Sequence, residues 1–320
     1  MNWYPLLFEP IIKERIWGGT KLRDILHKPL VSEISGESWE LSTVSGDVSV
    51  VANGVLAGND LNAVVASNPE AVLGKKVVAQ FGTQFPLLFK FLDAREDLSI
   101  QVHPNDALAK ERHNSFGKTE MWYVMQADSG TELIVGFKED SNLQAYQAAV
   151  DNHQVVDLLE KHPVQKGDVF FLETGTVHAI GAGALIAEIQ QTSDITYRIY
   201  DFDRRDDQGN LRELHTELAL DAINYQKTAS KKTYSQVANT SNVMVDCPYF
   251  TTALLPLQGN AVVNQSEETF TVLMVVEGTA ELKYAEGTME IKKGMTVLLP
   301  AGLGPVQLEG NAELLEIKIS

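Results

Sequence analysis

Gln165-Lys-Gly-Asp-Val-Phe-Phe-Leu-Glu-Thr-Gly-Thr-Val-His178 and Lys292-Lys-Gly-Met-Thr-Val-Leu-Leu-Pro-Ala-Gly-Leu-Gly-Pro305 read as two copies of one unit. Each opens with a turn at a glycine, Gly167 or Gly294, continues as a short apolar run of strand length, and ends in a second tight turn. Upstream of each, residues 121–127 and 272–278 also resemble one another. The copies differ where chemistry is at stake: Pro305 stands in the place of His178, and Thr271 in the place of Glu120. One architecture therefore occurs twice, with metal-binding side chains in the first copy alone.

Strands are expected at 87–91, 98–103, 120–125, 131–137, 168–172 and 184–190, which are short, rich in β-branched or aromatic residues, and bounded by Gly, Pro, Asp or Asn. Apolar residues recur at helical spacing over 60–67, 69–74, 141–152, 153–162 and 213–223. Many short strands with few helices point to a mainly β sandwich or jelly roll. The paired turn–strand–turn units resemble the cupins, small jelly-roll barrels that hold a metal at one end. The resemblance is good over 98–190 and weaker over 243–318. It implies two such barrels, the C-terminal one degenerate, with short helical insertions at about 60–75 and 141–162. The polar run at 228–242 divides the chain into a metal-binding domain, 1–235, and a C-terminal cupin-like domain, 243–320, without metal ligands.

In an extended strand, side chains two apart share a face. Ser99, Gln101 and His103 therefore point together, as do Lys118 and Glu120, and His178 follows a turn in the ligand-bearing copy. Two imidazoles, a carboxylate and an amide oxygen can meet at one divalent metal, and zinc accepts such donors while leaving a position open. His27, His113, His153, His162 and His215 lie in loop-like or helical surroundings and receive no role.

The net charge of −17 argues against nucleic acid or an anionic membrane as partner. It leaves room for a small anion met by a local cluster of cations. Cys247 is the single cysteine, so neither a disulfide framework nor a thiolate metal site is expected. The N-terminus shows no basic segment leading into an apolar run, and no apolar stretch approaches the roughly 20 residues of a membrane helix. A cytoplasmic protein is expected, and the lack of heptads or long exposed apolar segments favours a monomer.

Phe85-Pro-Leu-Leu-Phe-Lys-Phe-Leu-Asp-Ala94, Leu98-Ser-Ile-Gln-Val-His-Pro104, Gly117-Lys-Thr-Glu-Met-Trp122 and Gln190-Gln-Thr-Ser-Asp-Ile-Thr-Tyr-Arg-Ile-Tyr-Asp201 resemble the signature blocks of type I mannose-6-phosphate isomerases, in the compact bacterial form. Trp17-Gly-Gly19 and Gly36-Glu-Ser-Trp-Glu-Leu-Ser42 are similar to N-terminal segments of that family. The resemblance implies an aldose–ketose isomerase acting on mannose 6-phosphate and fructose 6-phosphate, with one Zn²⁺ per chain. Its ligands fall on Gln101, His103, Glu120 and His178, its active-site arginine on Arg198, and its other pocket residues on Lys90, Ser99, Lys118, Glu188 and Asp194. A further family lysine falls on Arg204, a cation of different geometry.

Isomerisation through a cis-enediol develops negative charge on the carbonyl oxygen, and Arg198 is a permanent cation suited to meet it. Its plainer reading is a surface pair with Asp201 or Asp203. Lys90, Ser99 and Lys118 can receive a phosphate; the plainer reading of Lys90 is a stem covering apolar surface with its head in water. Proton abstraction needs a base of raised pKa. Glu188, in a strand otherwise of Leu185, Ile186, Ala187 and Ile189, would gain one by burial; Asp194 is the other candidate. Two competing functions share the residue pattern: a cupin oxygenase with a two-histidine, one-carboxylate iron site, and a non-catalytic sugar-binding cupin.

Overall fold

Cross-strand register bears out the repeat. In the computed structural model, which describes residues 2–29, 31–205 and 208–320, Glu120–Ala127 pairs with Val169–Leu172 so that Glu120 opposes Leu172. In the second copy Thr271–Tyr284 pairs with Thr296–Leu299 so that Thr271 opposes Leu299. These are the positions the two sequence copies align.

All strand pairs are antiparallel. A seven-stranded sheet runs in the order Ile11–Gly19, Ser35–Leu41, Leu87–Asp93, Ala184–Gln191, Glu120–Ala127, Val169–Leu172, Lys231–Lys232. A five-stranded sheet runs Tyr197–Tyr200, Ile100–Val102, His178–Ile180, Glu132–Phe137, Leu159–Pro163. From Glu120 to Tyr200 the chain crosses back and forth between these two sheets, staying in one of them only where Leu159–Pro163 pairs with Glu132–Phe137, which is jelly-roll winding of a mainly β cupin fold. A third, six-stranded sheet holds Asn242–Asp246 through Val306–Lys318.

Strand alternation feeds separate cores. Leu92, Trp122, Val124, Phe170, Leu172 and Ile186 of the seven-stranded sheet meet Leu133, Val135 and Ile180 of the five-stranded one. Phe89, Phe91, Met121, Tyr123, Ala187 and Ile189, on the opposite face, join Phe270, Val272, Leu298 and Leu315 of the C-terminal sheet in one continuous core. The seven-stranded sheet is thus covered on both sides. The core runs without a break from the first half of the chain into the C-terminal sheet. Backbone bonds join the same two parts: Leu6 and Leu298 exchange two, at 2.8 and 3.0 Å, and Phe270 donates to the Leu73 carbonyl at 2.9 Å.

The helices are short and side-chain capped. Asp60 accepts from Ala63 N–H, Asn68 from Ala71, Asn105 from Leu108 and Asn142 from Ala145, opening Leu61–Ser67, Pro69–Leu73, Asp106–His113 and Leu143–Asp151. Helix is not continued over 153–162 as expected. His153 takes a left-handed φ of 57°, residues Val155–Leu158 make one tight turn, and Leu159–Pro163 is an edge strand beside Glu132–Phe137. The β-branched pair Val155–Val156 and Pro163 suit that outcome better than a helix. Of 213–223, only Thr216–Leu220 is helical.

Phe85 and Phe270 stack with centroids 4.8 Å apart where the N- and C-terminal sheets meet, and both are fully buried. Phe270→Ala is expected to cost about 3–5 kcal/mol while calorimetry still shows one cooperative transition, because the cavity would open in a core that both halves share. Separate melting of the two halves would contradict that shared core.

Candidate functional site

Two facing rows of side chains build the site. Across the seven-stranded sheet, Trp39 opposes Lys90, Lys90 opposes Glu188, Glu188 opposes Trp122, and Trp122 opposes Phe170. Across the five-stranded sheet, Arg198 opposes Gln101 and Gln101 opposes His178. Glu120, two residues before Trp122 and on the same face, reaches from the first sheet toward the second.

There it meets both histidines. Ligand atoms of His103, Glu120 and His178 lie within 4.8 Å of one another, and all three residues are buried. His103 Nε2 is 3.5 Å from Glu120 Oε2, and His178 Nε2 is 3.4 Å from Glu120 Oε1. Each ring donates its Nδ1–H to a backbone carbonyl, His103 to Ile195 at 2.9 Å and His178 to Thr176 at 2.8 Å. Such bonds fix the tautomer and leave the Nε2 lone pairs pointing inward. Burial and the Lys118 ammonium push His178 down to about 4, and burial, Lys118 and His178 drive His103 well below its ordinary range. Both imidazoles are neutral, as ligation requires.

The donor set fits a divalent metal on its own chemistry: two neutral imidazoles, a carboxylate, and a buried Glu120 Oε1 that has no hydrogen-bond donor. The Gln101 amide sits 3.3 Å from His178 Nε2, and a half turn about its last bond presents its oxygen to the same point. Burial pushes the Glu120 carboxyl up to about 7 against the pull of Lys118, with Glu188 adding repulsion. A bound cation would reverse that penalty. Lys118 donates to Glu120 Oε2 at 2.5 Å and to His103 Nε2 at 3.1 Å.

Beside the triad opens a cleft of about 350 Å³. Lys90, Ser99, Gln101, Lys118, Glu188, Asp194 and Arg198 all line it, so these seven expected pocket residues come together beside the buried triad. Lys90 turns away from Phe89 and Phe91, as alternation requires. Its ammonium is not in water: it is buried, 3.1 Å from Glu188 Oε1 and 5.1 Å from the Trp39 ring. Asp194 and Thr196 precede the strand Tyr197–Tyr200 rather than belonging to it, yet both face the cleft.

Two expectations need correction. Burial does raise the Glu188 pKa, but Lys90, Lys118 and the Trp122 indole N–H at 2.9 Å outweigh it and bring the group down to about 2. Glu188 is a clamped carboxylate. Arg198 does not pair with Asp201, whose oxygens are taken by Arg204 and Arg212 at 2.5 Å. The Arg198 guanidinium donates to the Glu213 carbonyl at 2.7 Å, and its buried Nε has no acceptor. Arg204, also bonded to the Asp97 carbonyl, lies off the cleft wall, where Arg212 stands instead.

Sequence reasoning missed Arg15, Glu37, Trp39 and Arg212 on that wall. Glu37 and Trp39 carried a signal in their spacing of two. Glu37 holds Arg15 at 2.8 Å and the Trp39 indole at 2.6 Å. Gly36 is needed beside them, because a Cβ there would lie 2.7 Å from the Trp17 ring and from the Arg15 side chain. Arg212, in an irregular segment, carried none.

Comparison with known proteins follows the same lines. Residues 6–146 match the family described as "Phosphomannose isomerase type I, catalytic domain", and 239–319 match "Mannose-6-phosphate isomerase, cupin domain". The chain is 37% identical to the mannose-6-phosphate isomerase ManA of Bacillus subtilis, with 98% of each chain covered. It is 38% identical to the mannose-6-phosphate isomerase of Streptococcus mutans, with 97% of each covered. The crystal structure of a mannose 6-phosphate isomerase from Bacillus subtilis superposes with a TM-score of 0.91 at 34% identity, over 98% of this chain and 99% of that one. His178, Glu188, Asp194 and Arg198 lie beyond the first family match but within the full-length likenesses. These likenesses favour the isomerase over the iron oxygenase and the non-catalytic sugar binder.

The depressed Glu188 pKa sets a pH window. Stabilisation of its carboxylate by Lys90 is present above the ordinary carboxylate range and is lost as pH falls toward 2. Lys90→Met is expected to cost about 3–5 kcal/mol at neutral pH, by leaving a buried charge without its partner. The gap from wild type should be narrower at about pH 4, because without Lys90 burial raises the Glu188 carboxyl and the variant takes up a proton that wild type refuses until about pH 2. Glu188→Leu added to Lys90→Met should recover most of the loss. Urea midpoints at both pH values measure this; a gap independent of pH would show that Lys90 holds something other than the Glu188 charge.

Proposed function

Since the chain belongs to the type I phosphomannose isomerase family, we propose that it is a zinc-dependent enzyme interconverting mannose 6-phosphate and fructose 6-phosphate by proton transfer between C1 and C2 through a cis-enediol. The observation that carries the reading is the buried His103–Glu120–His178 cluster at the edge of a cleft whose walls present cations from both sheets.

His103, Glu120 and His178 would hold the zinc, with the Gln101 oxygen as a fourth donor. The metal supplies fixed positive charge at the sugar's oxygens. Lys90, Ser99 and Lys118 line one wall and offer the ammonium groups and hydroxyl a phosphate needs. Arg198, from the facing row and without a carboxylate partner among the described residues, stabilises negative charge as it develops on the substrate carbonyl oxygen. Both Glu188 oxygens are engaged, by Lys90 and the Trp122 indole, so its part is to hold Lys90 in place. Asp194, exposed on the cleft wall, is the carboxylate with freedom to collect the C2 proton. A monomer in the cytoplasm agrees with this role, and among the described residues no helix is long and apolar enough to cross a membrane.

Mannose 6-phosphate incubated with the protein in deuterated water should yield fructose 6-phosphate with deuterium at C1, and a chelator should abolish turnover until zinc is restored. His178→Ala should lose the metal and keep the fold by circular dichroism; absence of conversion by metal-loaded wild type would sink the proposal. Arg198→Ala should lose about 10²–10³ in kcat, and Asp194→Asn about 10²–10⁴, with metal content unchanged by elemental analysis. Full turnover in either variant would remove that residue from its role.

A further inference from the structure

The C-terminal half of the chain contributes the Tyr249 side chain to the surroundings of the site. Between Asn242–Asp246 and Thr251–Val263 the chain turns back toward the first half, and the Tyr249 hydroxyl donates to Asp106 Oδ2 at 2.5 Å across a sequence separation of 143 residues. Asp106 opens the helix that follows His103. Its other oxygen, Oδ1, accepts the Gly117 N–H at 2.8 Å and the Gln191 side-chain N–H at 3.0 Å. Gln191 in turn accepts the Thr119 N–H at 2.9 Å through its side chain and donates its own N–H to the Thr119 carbonyl at 3.1 Å.

These bonds bracket Lys118. The peptide N–H groups on either side of it are tied to Asp106 and Gln191, and its own N–H reaches the Pro104 carbonyl at 3.4 Å. The segment also sits too close to Asp106 for any side chain at 117: a Cβ on Gly117 would lie 2.7 Å from Asp106 N. Lys118 then projects from this fixed backbone to Glu120 and His103. A phenol donating to a carboxylate is a strong, charge-assisted hydrogen bond. It leaves Asp106 one orientation, with Oδ1 aimed at residue 117. Without the hydroxyl, the carboxylate can rotate and release both of its other partners.

We propose that Tyr249 is a positioning residue of the isomerase, which acts through Asp106 and Gln191 to fix the backbone at 117–119 and thereby the aim of Lys118. The proposal rests on the isomerase reading for its kinetic consequence and on the hydrogen-bond geometry alone for its structural one. It assigns a task to a half of the chain whose repeat copy has lost its metal ligands.

Tyr249→Phe removes only the hydroxyl, and Tyr234→Phe is the control, since that hydroxyl bonds the Gly167 carbonyl away from the site. Hydrogen exchange by mass spectrometry should show faster exchange over 117–119 in Tyr249→Phe and none in Tyr234→Phe. Metal-loaded Tyr249→Phe should lose about tenfold in kcat, with KM within about twofold and zinc content unchanged. Wild-type exchange at 117–119 in Tyr249→Phe would overturn the proposal, whatever the activity, and so would faster exchange with an unaltered kcat. Should wild type itself fail to convert mannose 6-phosphate, the isomerase reading falls, while the exchange result still decides whether Tyr249 fixes 117–119.

Discussion

Glu120 has no exposed surface, and a carboxylate so placed is tolerable only where cations or hydrogen-bond donors surround it, because burial of an isolated charge costs several kcal/mol even after relaxation. Lys118, just before the Glu120 strand, supplies one cation. The remaining company comes from the opposite sheet, His178 on a strand of it and His103 immediately after another. The two sheets must therefore pack with one particular pair of rows facing, since a register slip of one residue would turn Glu120 into the apolar core on the other side. Sheet packing and site assembly are one requirement, and a divalent cation between the rows would reinforce both.

The cleft wall extends the same logic sideways. Along one row two tryptophans flank a charged pair, Trp39, Lys90, Glu188, Trp122, and each charge is answered by its immediate neighbour. Buried ion pairs of this kind contribute little net stability, but they fix positions. They also explain how a chain of net charge −17 can receive an anion. Arg15, Lys90, Lys118, Arg198 and Arg212 converge on the cleft, and at such distances local cations outweigh the screened charge of the far surface.

Much of this was legible in the sequence because it depends on strand alternation. Spacings of two placed Gln101 with His103 and Lys118 with Glu120, and turned Lys90 away from its flanking phenylalanines. The repeat foretold the register of Glu120 on Leu172 and of Thr271 on Leu299. What escaped depends on partners distant in sequence. Composition around Glu188 is apolar along its strand, so burial was foreseen, whereas the cations that reverse its pKa shift lie on neighbouring strands. Helix Asp106–His113 escaped because Ala109 is its one buried residue, which leaves no apolar stripe to read. Arg212 and Tyr249 sit in irregular segments, where periodicity carries no information.

Alternation also accounts for the second copy's survival without ligands. A strand such as Leu87–Asp93 cannot present Lys90 to a polar cleft without presenting Phe89 and Phe91 to its other face. A catalytic sheet built on alternating residues thus leaves a broad apolar surface behind it, and some element must cover that surface. The C-terminal sheet does so with Phe270, Val272 and Leu298. Thr271 and Pro305, where the first copy has Glu120 and His178, put no charge into that sheet's apolar interior. Loss of the ligands suits the second copy to its position: charged side chains there would need partners of their own. Support of the catalytic sheet is therefore reason enough for the duplicated fold to persist, apart from any chemistry of its own.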